Sequence, residues 1–161
     1  MRDENMNTPI LFYKINQGED DPIDYINWAL KMLESNNESF SLNILSSLRE
    51  PLNIFEVEDY FKSALRELKI QEPTFEECAE YYIQHLAKRI LQEENRAIDL
   101  AYKIYEIVRE LNNCDGLEDW YNISEMIDDF RYGDNISNLS KVALIVTIEK
   151  EVKKLLNRNR N

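Results

Sequence analysis

Only three glycines and four prolines punctuate 161 residues, so the tight turns of a β architecture have few residues to build them. Helix start and stop signals instead recur about every 20 residues, and apolar residues between them fall three and four apart. The expected fold is all-α, an irregular bundle of six or seven helices in a single domain spanning 1–161. With 43% hydrophobic and 31% charged residues, the chain has enough apolar material to bury a core. No fixed repeat period carries the same residue types, which argues against a solenoid.

The first 21 residues read as a lead segment. Its Ile10–Ile15 stretch fits either an extended strand-like lead or a first helical turn. Asp21 before Pro22 marks an N-cap with proline at the first helical position, opening a helix through Ile23, Ile26, Leu30 and Leu33 that Asn36 and Asn37 end. A short helix from Phe40 to Leu48 stops before Pro51. Asn53-x-x-Glu56 starts the next, with Ile54, Val57, Phe61, Ala64, Leu65 and Leu68 as its apolar stripe.

Thr74 with Glu77 three residues later starts a further helix through Ala79, Tyr82, Ile83, Leu86, Ile90 and Leu91. Another runs from Ala97 to Leu111 and ends near Asn112, Asn113 and Gly116. Leu117, Trp120, Ile123, Ile127 and Phe130 form the following stripe, closed by Gly133. The last helix begins after Ser137 or Ser140 and is expected to bury Val142, Ile145, Val146, Val152 and Leu155. Residues 157–161 read as a frayed basic tail.

Charge is the feature that bears on function. The chain holds 31 acids against 19 bases, a net charge of −12, which repels phosphate backbones and anionic lipid and attracts basic partners. Nucleic-acid and membrane-surface binding are therefore disfavoured. Between Leu111 and Asp134 stand seven acids and one base. On a helix whose apolar stripe holds Trp120, Ile123 and Ile127, the acids Glu118, Glu125 and Asp129 face water. Glu125 and Asp129 are four apart, so they repel each other by a few tenths of a kcal/mol, a cost that a basic partner would relieve. Smaller acidic stretches occur at Glu19–Asp21 with Asp24, and at Glu72 with Glu76, Glu77 and Glu80. Residues 149–161, by contrast, carry five bases and two acids.

The candidate partner-binding residues are Asp115, Glu118, Asp119, Tyr121, Glu125, Asp128, Asp129 and Tyr132. The carboxylates form a charged face, and Tyr121 or Tyr132 can anchor a partner, since tyrosine offers contact area and a hydroxyl at low entropic cost. A solvated face that keeps the protein soluble is the competing account of the acids, favoured near helix starts by the macrodipole. Partial burial at helix contacts is the competing account of the tyrosines.

Catalytic patterns are weak. The single histidine, His85, shares a face with Cys78 and Tyr81 and reads as a helix-edge residue with no metal pair or orienting carboxylate nearby. Cys78 and Cys114 have no C-x-x-C spacing and read as buried or incidental thiols. No glycine-rich phosphate cradle is present. A carboxylate-only Mg²⁺ site from Glu76 and Glu80, or from Glu125 and Asp129, is the one metal arrangement compatible with the sequence. No cofactor, catalytic residue or metal ligand is assigned. The N-terminal residues lack the apolar run of a signal peptide and no stretch reaches the length of a membrane span, so a cytoplasmic location is expected.

The stretch Ser41-Leu42-Asn43-Ile44-Leu45-Ser46-Ser47-Leu48, followed by Asn53-Ile54-Phe55-Glu56-Val57-Glu58-Asp59-Tyr60-Phe61, resembles small bacterial helical proteins, some of which are immunity proteins of polymorphic toxin systems. That resemblance implies a cytosolic inhibitor that binds a partner's toxic domain, often a basic nuclease, and blocks its active site. Two other classes stay open: a helical adaptor that recognises an endogenous protein through an apolar groove, and an enzyme with a dispersed carboxylate site.

Overall fold

A computed structural model of the chain describes residues 6–112, 116–133 and 139–158. Among these the protein is all-helical and contains no strand. The helices are α1 (Thr8–Gln17), α2 (Pro22–Glu34), α3 (Phe40–Ser47), α4 (Ile54–Glu67), α5 (Phe75–Gln92), α6 (Ala97–Leu111), α7 (Leu117–Tyr132) and α8 (Lys141–Arg158), with a 3₁₀ turn at Glu94–Arg96. Eight α-helices thus stand where six or seven were expected. The additional one is α1: Asn7 caps it by accepting from the Ile10 N–H, and Gly18 closes it in the left-handed region at φ 68°. Both caps flank what composition alone left open as an extended lead or a single turn.

The chain divides into two compact units, Met1–Ala79 and Glu80–Asn161. In the first unit α2 packs against α1, α3 and α4, and α3 lies along α4. Phe61 is the hub of its core. Its ring lies 4.8 Å from Trp28, 5.2 Å from Tyr25 and 5.5 Å from Phe12, the first two edge-on. Such contacts add to the area each ring buries, and truncating a ring of this kind costs roughly 3–5 kcal/mol. Trp28 is fully buried yet satisfied, because its indole N–H donates to the Thr8 hydroxyl at 2.9 Å.

The helix starts follow the local rules. Thr74 and Glu77 form a reciprocal capping box, the Thr74 N–H donating to Glu77 at 3.0 Å and the Glu77 N–H to the Thr74 hydroxyl at 3.2 Å. The Asn53 side chain accepts from the Phe55 N–H at 2.8 Å. Of the two serines considered for the start of α8, Ser140 caps it, accepting from Ala143 at 3.1 Å, whereas Ser137 lies outside the described residues. So do Cys114 and residues 159–161.

In the second unit α6 packs against α7 and α8, and α7 against α8. The buried stripe of α8 is Leu144, Ile145, Ile148 and Val152. Val142 and Val146, expected inside, are exposed. Residues 142–146 are all apolar and cover every angle of the helix, so the phase is set further along by Ile148 and Val152. His85 is likewise buried instead of lying at a helix edge, with its ring 6.0 Å from that of Tyr82. It follows Cys78 by two turns, and the burial of Cys78 marks the side on which it falls.

Candidate partner-binding face

The candidate face is built on α7. At about 100° per residue, Tyr121, Glu125, Asp128 and Tyr132 fall within a strip about 60° wide, with Glu118 at its edge and Asp129 just beyond. The buried residues Trp120, Ile123, Ser124 and Ile127 take the other side. Because i, i+4, i+7 and i+11 are neighbours on a helix, the strip alternates ring, carboxylate, carboxylate and ring. Tyr121 is 49% exposed and Tyr132 81% exposed. Glu118 and Glu125 face water, while Asp128 and Asp129 are half-buried.

One of the expected residues is turned away from it. Asp119 is turned about 160° from Tyr121 by the helical repeat and is half-buried on a different flank. Asp115 lies outside the described residues.

The strip continues onto α6, which runs antiparallel to α7. Arg131 donates to Asp99 and fastens one end of the pair. Further along, Asp128 acts on Tyr102, and the Tyr105 ring lies 6.2 Å from that of Tyr121. Tyr102 and Tyr105 meet edge-on at 5.8 Å, and the Arg109 guanidinium sits over the Tyr105 ring at 5.4 Å. The result is a row of three tyrosines across two helices, with Tyr105 buried between the half-buried Tyr102 and the exposed Tyr121, bordered by Glu106, Glu125 and Asp128. Arg109 is held against an aromatic face, where a cation gains from the ring quadrupole.

The electrostatics are those of an anionic surface. The negative charge of Asp128, with partial desolvation and Glu106, holds the Tyr102 phenol above its ordinary range. Tyr102 therefore stays a neutral hydrogen-bond donor well into alkaline solution.

The residues of α6 were not among those singled out from sequence. The signal was there in part: Tyr102, Tyr105, Glu106 and Arg109 are spaced i, i+3, i+4 and i+7, a second stripe beside the apolar one.

Among the described residues no group of three or more His, Cys, Asp or Glu side chains converges as a metal site would require, so Glu76 with Glu80 and Glu125 with Asp129 remain pairs without a third ligand. Cys78 is fully buried, and desolvation, followed by Glu77 and Glu72, pushes its thiol up to about 11. A thiol in that state is a poor nucleophile. No helix among the described residues is long and apolar enough to cross a membrane. Comparison with protein-family models, with curated proteins and with solved structures found no match.

Proposed function

We propose that this protein is an acidic binding module that docks a basic protein on the α6–α7 face, and that its activity is that of a cytoplasmic immunity protein inhibiting a partner toxin. The observation that carries the reading is the strip of Tyr121, Glu125, Asp128 and Tyr132, in which exposed rings bracket carboxylates. Two exposed tyrosines on one strip of a helix, flanked by carboxylates, offer a partner the kind of aromatic anchor that binding faces use. Carboxylates around them attract a basic partner over long range and raise its on-rate. Against a nuclease they would also stand where substrate phosphates bind. The inhibitory role rests on the resemblance in α3 and α4; the binding role rests on the face itself.

The test is retention of partners by tagged protein in its native cytosol, comparing the parent chain with the E125K/D128K double variant at low and high salt. A stoichiometric basic partner held by the parent at low salt, released at high salt and lost by the variant is the expected result. Equal retention by parent and variant would remove the face from the account.

A further inference from the structure

A second surface lies in the first unit, on α3 and α4, and owes nothing to the tyrosine row. Phe40 opens α3 and Phe55 stands in the first turn of α4, and both rings are turned outward, 76% and 73% exposed. They line an open cleft of about 640 Å³ together with Ser41, Tyr60, Glu56 and Asp59. We infer that this cleft is a docking site for a segment of a partner protein that presents an arginine or lysine beside a bulky aliphatic side chain.

The chemistry of the lining selects that occupant. Three aromatic rings and two carboxylates around one cleft form an environment that favours a cation over ring faces with anions at hand. Glu56 and Asp59 are exposed, and neither makes an ion pair with another described residue. Their charge is thus left for an incoming group. The two phenylalanines supply what a purely electrostatic site would lack, an apolar surface for an aliphatic neighbour of that cation.

An anionic occupant is disfavoured even though two helix N-termini border the cleft. The donors of those termini are already used: Ser41 N–H donates to Glu67 at 2.9 Å, Leu42 N–H to the Ser39 hydroxyl at 3.0 Å, and Phe55 N–H to Asn53 at 2.8 Å. With Glu56 and Asp59 added, a phosphate or carboxylate would meet repulsion and few free N–H groups. A second copy of this chain is a poorer fit as well, since its net charge of −12 opposes approach to an acidic cleft.

The experiment uses the full chain and three fluorescein-labelled synthetic peptides of about 12 residues, long enough to span such a cleft as a strand or helix. One alternates arginine and leucine pairs, one replaces the arginines by glutamate, and one replaces the leucines by serine. Binding is read by fluorescence anisotropy, with circular dichroism verifying that each variant stays helical. The arginine–leucine peptide should bind best. F40S/F55S should weaken it by about tenfold or more, the loss expected for buried aromatic anchors. E56Q/D59N should weaken it and flatten its salt dependence, and E125K/D128K should leave binding through the cleft in place. Equal affinity for all three peptides, or an arginine–leucine affinity unchanged in both F40S/F55S and E56Q/D59N, would overturn the assignment. So would concentration-dependent self-association of the parent chain that F40S/F55S abolishes, since the cleft would then serve a second copy.

Discussion

Asp128 on α7 sets the acidity of Tyr102 on α6. Its charge is the largest of the influences that hold the Tyr102 phenol above its ordinary value of 10.0, ahead of partial desolvation and Glu106. The relationship ties the two helices of the candidate face together electrostatically, so it can be used to test their pairing in solution.

Removing that charge should bring the phenol down. In D128N the Tyr102 titration is expected to move toward its ordinary value, while Glu106 keeps it from falling all the way. Because the folded value is raised, the neutral phenol favours the fold below the unfolded value, and that contribution is lost as pH rises through the folded one. Ultraviolet difference titration of D128N against the parent, with Y102F to assign the signal, measures the shift. A Tyr102 titration identical in both proteins would mean that α6 and α7 do not meet in this register.

Asp24 should be the most costly carboxylate in the first unit to remove. It is buried, its Oδ2 lies 2.8 Å from Lys14 Nζ, and the same oxygen accepts the Asp21 N–H at 2.8 Å. The pair fastens α1 to the start of α2 and completes one side of a capping arrangement. D24A leaves Lys14 largely covered and without its counter-ion, for which a loss of roughly 3 kcal/mol is expected. Urea unfolding of D24A and of K14M separates the two effects. The methionine replacement keeps the aliphatic stem but leaves the buried carboxylate without its cation, so it should cost a comparable amount. A loss below about 0.5 kcal/mol in both would class the bridge with ordinary surface pairs.

Much of this was legible locally. Thr74 with Glu77, Asp21 with Pro22, and Asn53 are marks that need only residues one to three positions apart, and each sits at the start of a helix. Helix pairing is a different matter, because periodicity assigns a face without naming what covers it. The meeting of Tyr105 with Tyr121, sixteen positions away, follows from the antiparallel packing of α6 against α7, and no spacing rule reports it. The same limit explains Val142 and Val146, where an unbroken apolar run leaves the helix phase undecided. Asp119 was grouped with its neighbours in sequence, but the helix turns it from the face that Tyr121 and Glu125 share.

Cys78 should resist thiol reagents in the native protein. Its side chain is fully buried, and desolvation with Glu77 and Glu72 pushes the thiol up to about 11, leaving little thiolate at neutral pH. In C114S, which retains Cys78 alone, labelling by a maleimide at pH 7 should be slow in buffer and rapid in concentrated urea. Rapid native labelling would indicate that the start of α5 opens readily, since only local unfolding could expose the sulfur.

Glu67 gives the first unit an acid-sensitive clasp. Placed at the end of α4, its carboxylate accepts the hydroxyl and the N–H of Ser41, the second at 2.9 Å, and so closes α4 onto the start of α3. The hydroxyl bond first and the N–H bond second hold the Glu67 carboxyl below its ordinary value of 4.5. A depressed folded value means that the stabilisation is present above the unfolded value and is lost as pH falls through the folded one. The parent should therefore be more resistant to urea than E67Q at neutral pH, with the difference shrinking below about pH 4.5 and vanishing once the parent carboxyl is protonated in both states. Urea midpoints of the two proteins between pH 7 and pH 3 trace that convergence. S41A supplies the complementary measurement, since losing the hydroxyl should raise the Glu67 titration and remove much of the same pH dependence. If E67Q and the parent keep a constant separation down to pH 3, the carboxylate's charge is not what joins α4 to α3, and packing along the α3–α4 contact must carry that role alone.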